Sequence, residues 1–495
     1  MRLLELFGRA GLECPSDAEN IEITNIVTDS RRVVKGSLFI CLKGLSSDGH
    51  KYVDDAINAG AAVIVAERVR DVCVGGAAAI ILLDNTRRVA ALLYNAWYGN
   101  PTKKLKIIGV TGTNGKTSVT TLAYEIFTGF GLRAGLIGTV CRLSADGRSL
   151  SHEFCKEKGH MTTPDPEELY KALALMADDG VEYVFMEVSS HALALCKTDA
   201  IEFDLAVFTN LTQDHLDFHG SMEEYYLAKK KLFSISRRAL IWTDGDYGKR
   251  LALECDCPVM TVSAHDGDFC ALDVKRLADG GSEYTLKYPE GTSKVRISLV
   301  GRFFVENSLT SAAIALLYKI PKDVVIRSLG TSRGVRGRME RVRYTDSDPL
   351  VVIDYAHTPD ALEKLLLSIR ELRDEKGRII LIFGCGGERD RDKRRRMAQI
   401  ASRLSDEVIV SSDNSRGEDP KQIFSDILKG IDKEKTYAVI EDRQRAIEEA
   451  VASAKHDDII VLAGKGHENY EINANGKMPF DEKKIVTAAL NKRRV

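Results

Sequence analysis

The chain has 495 residues, of which 29% are charged and 44% belong to the apolar set, with a formal net charge of -2. Such a length exceeds what one ordinary core organises and predicts roughly three domains. The near balance of charge removes the electrostatic ground for nucleic-acid binding. No apolar run reaches the ~18 residues of a membrane-spanning helix, so no membrane insertion is expected.

The first stretch, Met1 to Phe7, carries Glu5 inside a short apolar patch, which is not the h-region of a signal peptide, and a cytoplasmic protein is expected. Ten cysteines, at 14, 41, 73, 141, 155, 196, 255, 257, 270 and 385, show no CxxC spacing. They read as reduced core residues. Gly36 to Cys41 is strand-like, Tyr52 to Ala59 helical, and Ala61 to Val65 apolar again, which predicts a small α/β module over residues 1–102. Two polar spots within it, Thr28-Asp29-Ser30-Arg31-Arg32 and Asp48-Gly49-His50, have the composition of turns. Trp97 to Thr102 breaks the pattern with turn residues and marks a linker.

A second domain is predicted over residues 103–335. Leu105 to Val110 reads as a buried parallel strand and Ser118 to Thr128 as a helix, with Gly112-Thr113-Asn114-Gly115-Lys116-Thr117-Ser118 at the turn between them. Backbone N–H groups freed by glycine, a helix N-terminus, a lysine and a hydroxyl together suit a nucleotide triphosphate and its Mg²⁺. The loop is a variant, because Val110 stands where the general pattern has glycine. Further strands end in polar groups, Tyr183 to Met186 before Glu187-Val188-Ser189-Ser190-His191 and Leu205 to Phe208 before a segment holding Asp214 and His215. Ligands bind beyond the carboxyl ends of such strands, which would gather Lys116, Thr117, Glu187 and His215 around one crevice. Glu187 and Thr117 supply hard oxygen donors for Mg²⁺, while His215 is softer. Ser221 caps a helix through Lys229-Lys230-Lys231, a run expected to face solvent; Asp268 to Val300 alternates like a hairpin turning at Gly280-Gly281, and another helix opens near Asn307.

Residues 336–495 carry four apolar runs, Leu350 to Ile353, Ile379 to Phe383, Val408 to Val410 and Ile459 to Leu462, separated by helical segments. A doubly wound α/β domain is expected. Glu388 to Arg396 has the composition of a solvated helix start. Asp413, Asn414, Arg416 and Glu468 combine acids, an amide and a guanidinium at strand ends, a set that suits the ammonium and carboxylate of an amino acid.

Taken together, Thr28-Asp29-Ser30-Arg31, the Thr111 to Thr117 loop, Thr162-Thr163-Pro164, Glu187 to His191, Asp214 to Gly220, Asp354-Tyr355-Ala356-His357 and Gly464-Lys465-Gly466-His467-Glu468 resemble the Mur ligases of bacterial cell-wall synthesis nearly end to end. The resemblance implies an α/β fold of three domains: a small amino domain binding the UDP substrate, a central ATP-binding parallel sheet and a doubly wound carboxyl domain binding the incoming amino acid. It implies a monomeric enzyme of peptidoglycan precursor synthesis, with ATP and Mg²⁺ as cofactors. ATP would phosphorylate the D-glutamate side-chain carboxylate of a UDP-N-acetylmuramoyl dipeptide, and the amine of meso-diaminopimelate would attack the acyl phosphate.

By position, the resemblance implies that Lys116 neutralises the β- and γ-phosphates and that Gly112, Thr113, Asn114, Gly115, Thr117, Ser118, Asn307, Arg338 and Asp354 meet the nucleotide. Thr117, Glu187, His215 and a carbamylated Lys229 would serve the metal. Ser30 and His50 would lie along UDP, and Thr162, Thr163, Ser189 and Lys197 would face the dipeptide. Arg389, Asp413, Asn414, Arg416, Gly464 and Glu468 would form the amino-acid pocket. The family's Asp-Asn-Pro-Arg motif for meso-diaminopimelate reads Asp413-Asn414-Ser415-Arg416, which keeps the guanidinium that pairs with a distal carboxylate L-lysine lacks. Ser415, Phe304, Leu195 and Lys197 depart from the usual residues. An L-lysine-adding ligase and a folylpolyglutamate synthetase are the alternatives within this chemistry, and residues 1–102 argue against the latter; a nucleotide-gated binding protein without turnover is the alternative outside it.

Overall fold

A computed structural model describes residues 1–44, 47–68, 78–150, 161–277, 280–373 and 376–493. Cys73 and Cys155 lie outside them. The described residues form three main sheets and one small ribbon. The first holds β1 (Asn25–Val27), β2 (Ser37–Ile40), β3 (Val63–Ala66) and β4 (Ala79–Leu82) side by side and parallel. Helices Leu3–Ala10 and Thr86–Trp97 pack on one face through Leu6, Phe7, Leu93 and Tyr94. The helix at Leu3–Ala10 forms where the sequence suggested only an apolar patch.

The central sheet holds β5 (Lys106–Thr111), β6 (Ala134–Ile137), β7 (Arg142–Leu143), β8 (Tyr183–Glu187), β9 (Leu205–Phe208), β10 (Ala239–Trp242), β11 (Val259–Ser263), β12 (Phe269–Arg276), β13 (Ser282–Tyr288) and β14 (Gly291–Ile297), in the order β14-β13-β12-β11-β10-β9-β5-β8-β6-β7. From β11 to β6 it is parallel, and its strands are near-continuous apolar runs because helices cover both faces. β12, β13 and β14 extend one edge as the expected hairpin excursion, an antiparallel meander turning at Gly280 with φ +83°. β5 lies between β9 and β8, and the chain leaves it toward β6 on one side and returns to β9 on the other. Its carboxyl end is therefore a topological switch point, where a crevice opens.

The third sheet runs β15-β16-β20-β17-β18-β19, from β15 (Glu340–Val342), β16 (Leu350–Asp354), β17 (Ile379–Phe383), β18 (Glu407–Val410), β19 (Thr436–Val439) and β20 (Ile459–Ala463). Alternation within strands serves both faces. Leu381 and Phe383 pack with Leu362 and Met397, whereas Ile380 and Ile382 pack with Ile447 and Leu490. This is the doubly wound arrangement expected. A ribbon of β21 (Tyr470–Asn473) and β22 (Gly476–Pro479) follows β20.

Two expectations change. Lys393 and Arg394, in the run read as a solvated helix start, are buried, because the helix Asp392–Leu404 turns them toward the glycine loop after β17. Among the described cysteines only Cys41, Cys270 and Cys385 are buried; Cys14, Cys141, Cys196, Cys255 and Cys257 are half-exposed, and the thiols of Cys255 and Cys257 approach to 3.4 Å. No helix among the described residues is long and apolar enough to cross a membrane.

Candidate active site

The loop after β5 is shaped by neighbours that leave no room for side chains. Gly112 has φ +149°, and a Cβ there would lie 1.9 Å from Thr209 Oγ1; at Gly115, φ +88°, it would lie 2.7 Å from Asn307 Oδ1. The end of β9 holds the loop from the other side. Asn210 accepts from the Asn114 N–H at 2.9 Å and donates to its carbonyl at 3.1 Å, and Thr209 donates to that carbonyl at 2.6 Å. Thr113 donates to the Thr212 carbonyl. Lys116 folds back to donate to the carbonyls of Gly112 and Thr113 at 2.9 and 2.8 Å, and the buried Lys229 donates to the same Gly112 oxygen at 2.9 Å. Desolvation lowers both lysines from the ordinary range, Lys229 well below it, and Lys116 adds to the effect on Lys229. Within the lysine run, Lys229 alone is buried; Lys230 pairs with Glu254 at 2.9 Å.

Glu187, at the end of β8, is 1% exposed and fully engaged. It accepts from Thr117 Oγ1 at 2.9 Å, from the Thr139 N–H at 2.7 Å and from Thr139 Oγ1 at 3.0 Å. A hydroxyl and a carboxylate therefore converge at the start of the nucleotide-loop helix, the hard-oxygen donor set that Mg²⁺ takes when phosphates complete its shell. The described residues contain no cluster of three or more His, Cys, Asp or Glu side chains arranged for a metal. Thr117 and Glu187 fit the ion as a pair, and His215 lines the same cavity.

His215 occupies the left-handed region at φ +54°, its Nε2 3.3 Å from Asp214 and its ring 4.8 Å from that of His191. Burial pushes its pKa down to about 3, so the imidazole is neutral near pH 7. His219 meets Ser190 Oγ at 2.9 Å and is likewise lowered, to about 4.

The carboxyl unit closes the cleft. Gly337, φ +69°, runs so tightly along Gly466 and His467 that a Cβ would sit 2.1 Å from the His467 nitrogen. That seam carries Arg338 to within 3.4 Å of Thr117 Oγ1, with its guanidinium 4.6 Å over the Tyr355 ring. Asp354 lines the cleft, but its oxygens accept from the N–H groups of Met339 and Ala356, both at 2.7 Å. Asn307 is buried beside Gly115. One cavity joins Thr113 through Ser118 with Thr162, Glu187, His215, Asn307, Arg338 and Asp354.

Beyond it lies the predicted amino-acid set. Arg416, φ +52°, donates through Nη1 to the Gly387 carbonyl at 2.8 Å and to that of Asn414 at 3.2 Å. Burial and the neighbouring Arg389 lower it from the usual guanidinium range, so two cations share one locale. Asn414 donates to Glu468 at 2.8 Å, and a Cβ on Gly464, φ +118°, would lie 3.3 Å from Asp413 Oδ2. Ser415 is buried, and its carbonyl lies where a Cβ on Gly387 would clash.

The remaining expected residues are occupied locally. Asp29 and Asp48 cap 3₁₀ turns that carry Ser30 and His50 past the ends of β1 and β2. His50 Nδ1 contacts Asp48 at 2.6 Å and its Nε2 accepts from Glu67, so both nitrogens are engaged. Thr163 donates to the Glu187 carbonyl and accepts from the Ser189 N–H, and Ser189 caps the helix Ser190–Ala194. Lys197 pairs with Asp165 at 2.8 Å. Phe304 is core, while its neighbour Phe303 faces the cleft. Leu195 ends the helix Ser190–Ala194.

Sequence reasoning missed Thr139 and Asn210. Thr139 stands two residues past β6, and the strand-end rule applied to that short run would have flagged it. Asn210 was visible after β9 but had no signal separating it from a turn residue.

Three family models match the chain: Mur ligase family, catalytic domain, over residues 22–99; Mur ligase middle domain over 110–315; and Mur ligase, glutamate ligase domain, over 337–466. A Clostridioides difficile (strain 630) protein named UDP-N-acetylmuramoyl-L-alanyl-D-glutamate--2,6-diaminopimelate ligase is 43% identical over 480 residues, 96% of either chain. A Clostridium acetobutylicum protein of that name, numbered 1, is 41% identical over 488 residues, 98% of either chain. A solved structure described by the same enzyme name superposes with a TM-score of 0.69 at 29% identity, covering 100% of both chains. The chain belongs to the Mur ligase family.

Proposed function

We propose that this protein joins meso-diaminopimelate to UDP-N-acetylmuramoyl-L-alanyl-D-glutamate at the expense of ATP, through an acyl phosphate on the D-glutamate side chain. Residues 1–102 hold the UDP moiety, 103–335 the ATP and 336–495 the incoming amino acid. The observation that carries the reading is Arg416 and Arg389 side by side, opposite Glu468 and Asp413. Paired guanidiniums suit a distal carboxylate, and the acids suit an ammonium. The named relatives at about 40% identity over nearly the full length point the same way.

Little covalent work falls to the protein, so positioning and charge neutralisation carry the rate. Lys116 leaves the carbonyls of Gly112 and Thr113 for phosphate oxygens, which the loop N–H groups and helix N-terminus also face. Thr117 and Glu187 would hold Mg²⁺, which when bound would neutralise phosphate charge. His215 stays neutral beside them. Lys229, desolvated and pushed toward the free amine, suits carbamylation, which would turn its repulsion from Lys116 into attraction. Ser30 and His50 border the UDP moiety, and Thr162, Thr163, Ser189 and Lys197 frame the dipeptide.

An ATP-dependent ligation assay with the UDP-muramoyl dipeptide, offering meso-diaminopimelate and L-lysine separately, tests the reading. Amide formation with meso-diaminopimelate is expected, and Lys116→Ala should lower it by about 10²–10³-fold. Equal use of the two amino acids, or phosphate release that survives Lys116→Ala undiminished, would overturn it.

A further inference from the structure

Lys465 is 0% exposed and sits between the acceptor loop and the β21–β22 ribbon. A buried ammonium is costly unless its hydrogens find acceptors. Its Nζ lies 3.2 Å from Asn414 Oδ1, 3.2 Å from the Tyr470 carbonyl and 3.7 Å from Asp413 Oδ1, with the Phe480 ring 5.4 Å away.

The consequence runs through Asn414. Its side-chain oxygen also accepts the Ile472 N–H at 2.9 Å. Two donors on one side fix which amide atom is oxygen, so the NH₂ must face Glu468 Oε2, 2.8 Å away. One oxygen of Glu468 is thereby tied down and the other left to accept a ligand hydrogen. Ile472 returns the constraint to the loop, because its carbonyl accepts from the Arg416 N–H at 3.0 Å. Arg416 depends on that anchor, since a non-glycine residue at φ +52° is held there by its surroundings. Lys465 thus connects the acidic and basic ends of the pocket without facing it.

We propose that Lys465 is a positioning residue that sets acceptor specificity, by locking the Asn414 amide and with it Glu468 and Arg416 at the spacing of a diamino dicarboxylate. This rests on the ligase reading above. If the unmodified enzyme does not ligate meso-diaminopimelate, that reading fails first, and only an active enzyme tests Lys465.

In Lys465→Met the amide loses one of its two donors and keeps only the Ile472 N–H to hold its orientation. The KM for meso-diaminopimelate should rise by about tenfold or more while that for ATP stays within about twofold, and preference over L-lysine should fall by about tenfold. Lys465→Gln, which keeps an N–H donor, should recover part of the acceptor KM. A parallel rise in every KM, or a lowered melting temperature with acceptor KM and preference unchanged, would overturn the proposal. Should Lys465→Met not fold, Asn414→Asp decides: it keeps the acceptor for Lys465 and Ile472 and removes the donor to Glu468. A raised acceptor KM with normal ATP KM supports the inference, and an unchanged acceptor KM rejects it.

Discussion

Lys116 and Lys229 bring two amines to one carbonyl oxygen, that of Gly112, and both resist protonation there. His357 shows the same desolvation across the cleft. Its Nδ1 lies 2.8 Å from the Tyr355 carbonyl and its Nε2 3.9 Å from Asp214. Burial, with Lys393 adding, pushes its pKa from 6.5 down to about 4. Between those values the unfolded chain holds a proton that the folded protein refuses, so stability falls as pH drops through that window. His357→Gln should flatten this part of the profile. Urea unfolding at pH 7 and pH 5 measures it, and an identical loss in both proteins would refute the assignment. Residue types at this scale were legible where chemistry limits the choice, as at Lys116, Thr117 and Glu187. Thr139 was not, because a threonine two residues past a short strand looks like any other until the fold aims it at Glu187.

Between elements, Arg394 decides how the glycine loop after β17 is held. It is fully buried, donates to both oxygens of Glu418 at 2.8 and 2.7 Å, and reaches Asp426 at 3.1 Å and the Gly386 carbonyl at 3.3 Å. Glu418 lies two residues past Arg416, so this pair braces the loop of residues 413–416 from behind. Arg394→Met leaves Glu418 with only the exposed Arg391 at 3.1 Å and the Glu388 N–H, and should cost about 2–4 kcal/mol of stability. Chemical denaturation checks this, and a loss below about 1 kcal/mol would show the pair to be dispensable. The charge run 388–396 read as solvated because its composition is that of an exposed helix; burial of two members depends on acids more than twenty residues away. Long apolar strands such as β5, β17 and β20 were legible from their runs. β15, β19 and the β21–β22 ribbon were not, being short or half-exposed edge pieces whose pairing, not their composition, makes them strands.

Across the whole molecule, the nucleotide loop is where the central and carboxyl units meet. Asn114 Nδ2 donates to Asp360 Oδ2 at 3.0 Å, Arg338 reaches Thr117, and Arg396 donates to Gln213. The amino unit is tied differently, by Arg32 gripping both oxygens of Glu167 at 2.7 and 2.6 Å and by a shared apolar core. Neither Asp360 nor Gln213 lines the nucleotide cavity itself, so changing them bears on closure more than on nucleotide chemistry. Both bonds have one charged partner, and each contributes about 1.5–3 kcal/mol. Asp360→Ala with Gln213→Ala should therefore reduce ligation turnover by about tenfold. The segment Ser332 to Gly337, which joins the two units, should also be cut faster by protease, because the seam of Gly337 against Gly466 opens more often. ATP affinity should change little, since the loop's clamps by Thr209 and Asn210 are untouched. Kinetics, limited proteolysis and nucleotide titration on the double variant test this together: slowed ligation with unchanged cleavage would place the fault in chemistry, and unchanged turnover would mean these contacts do not hold the units closed.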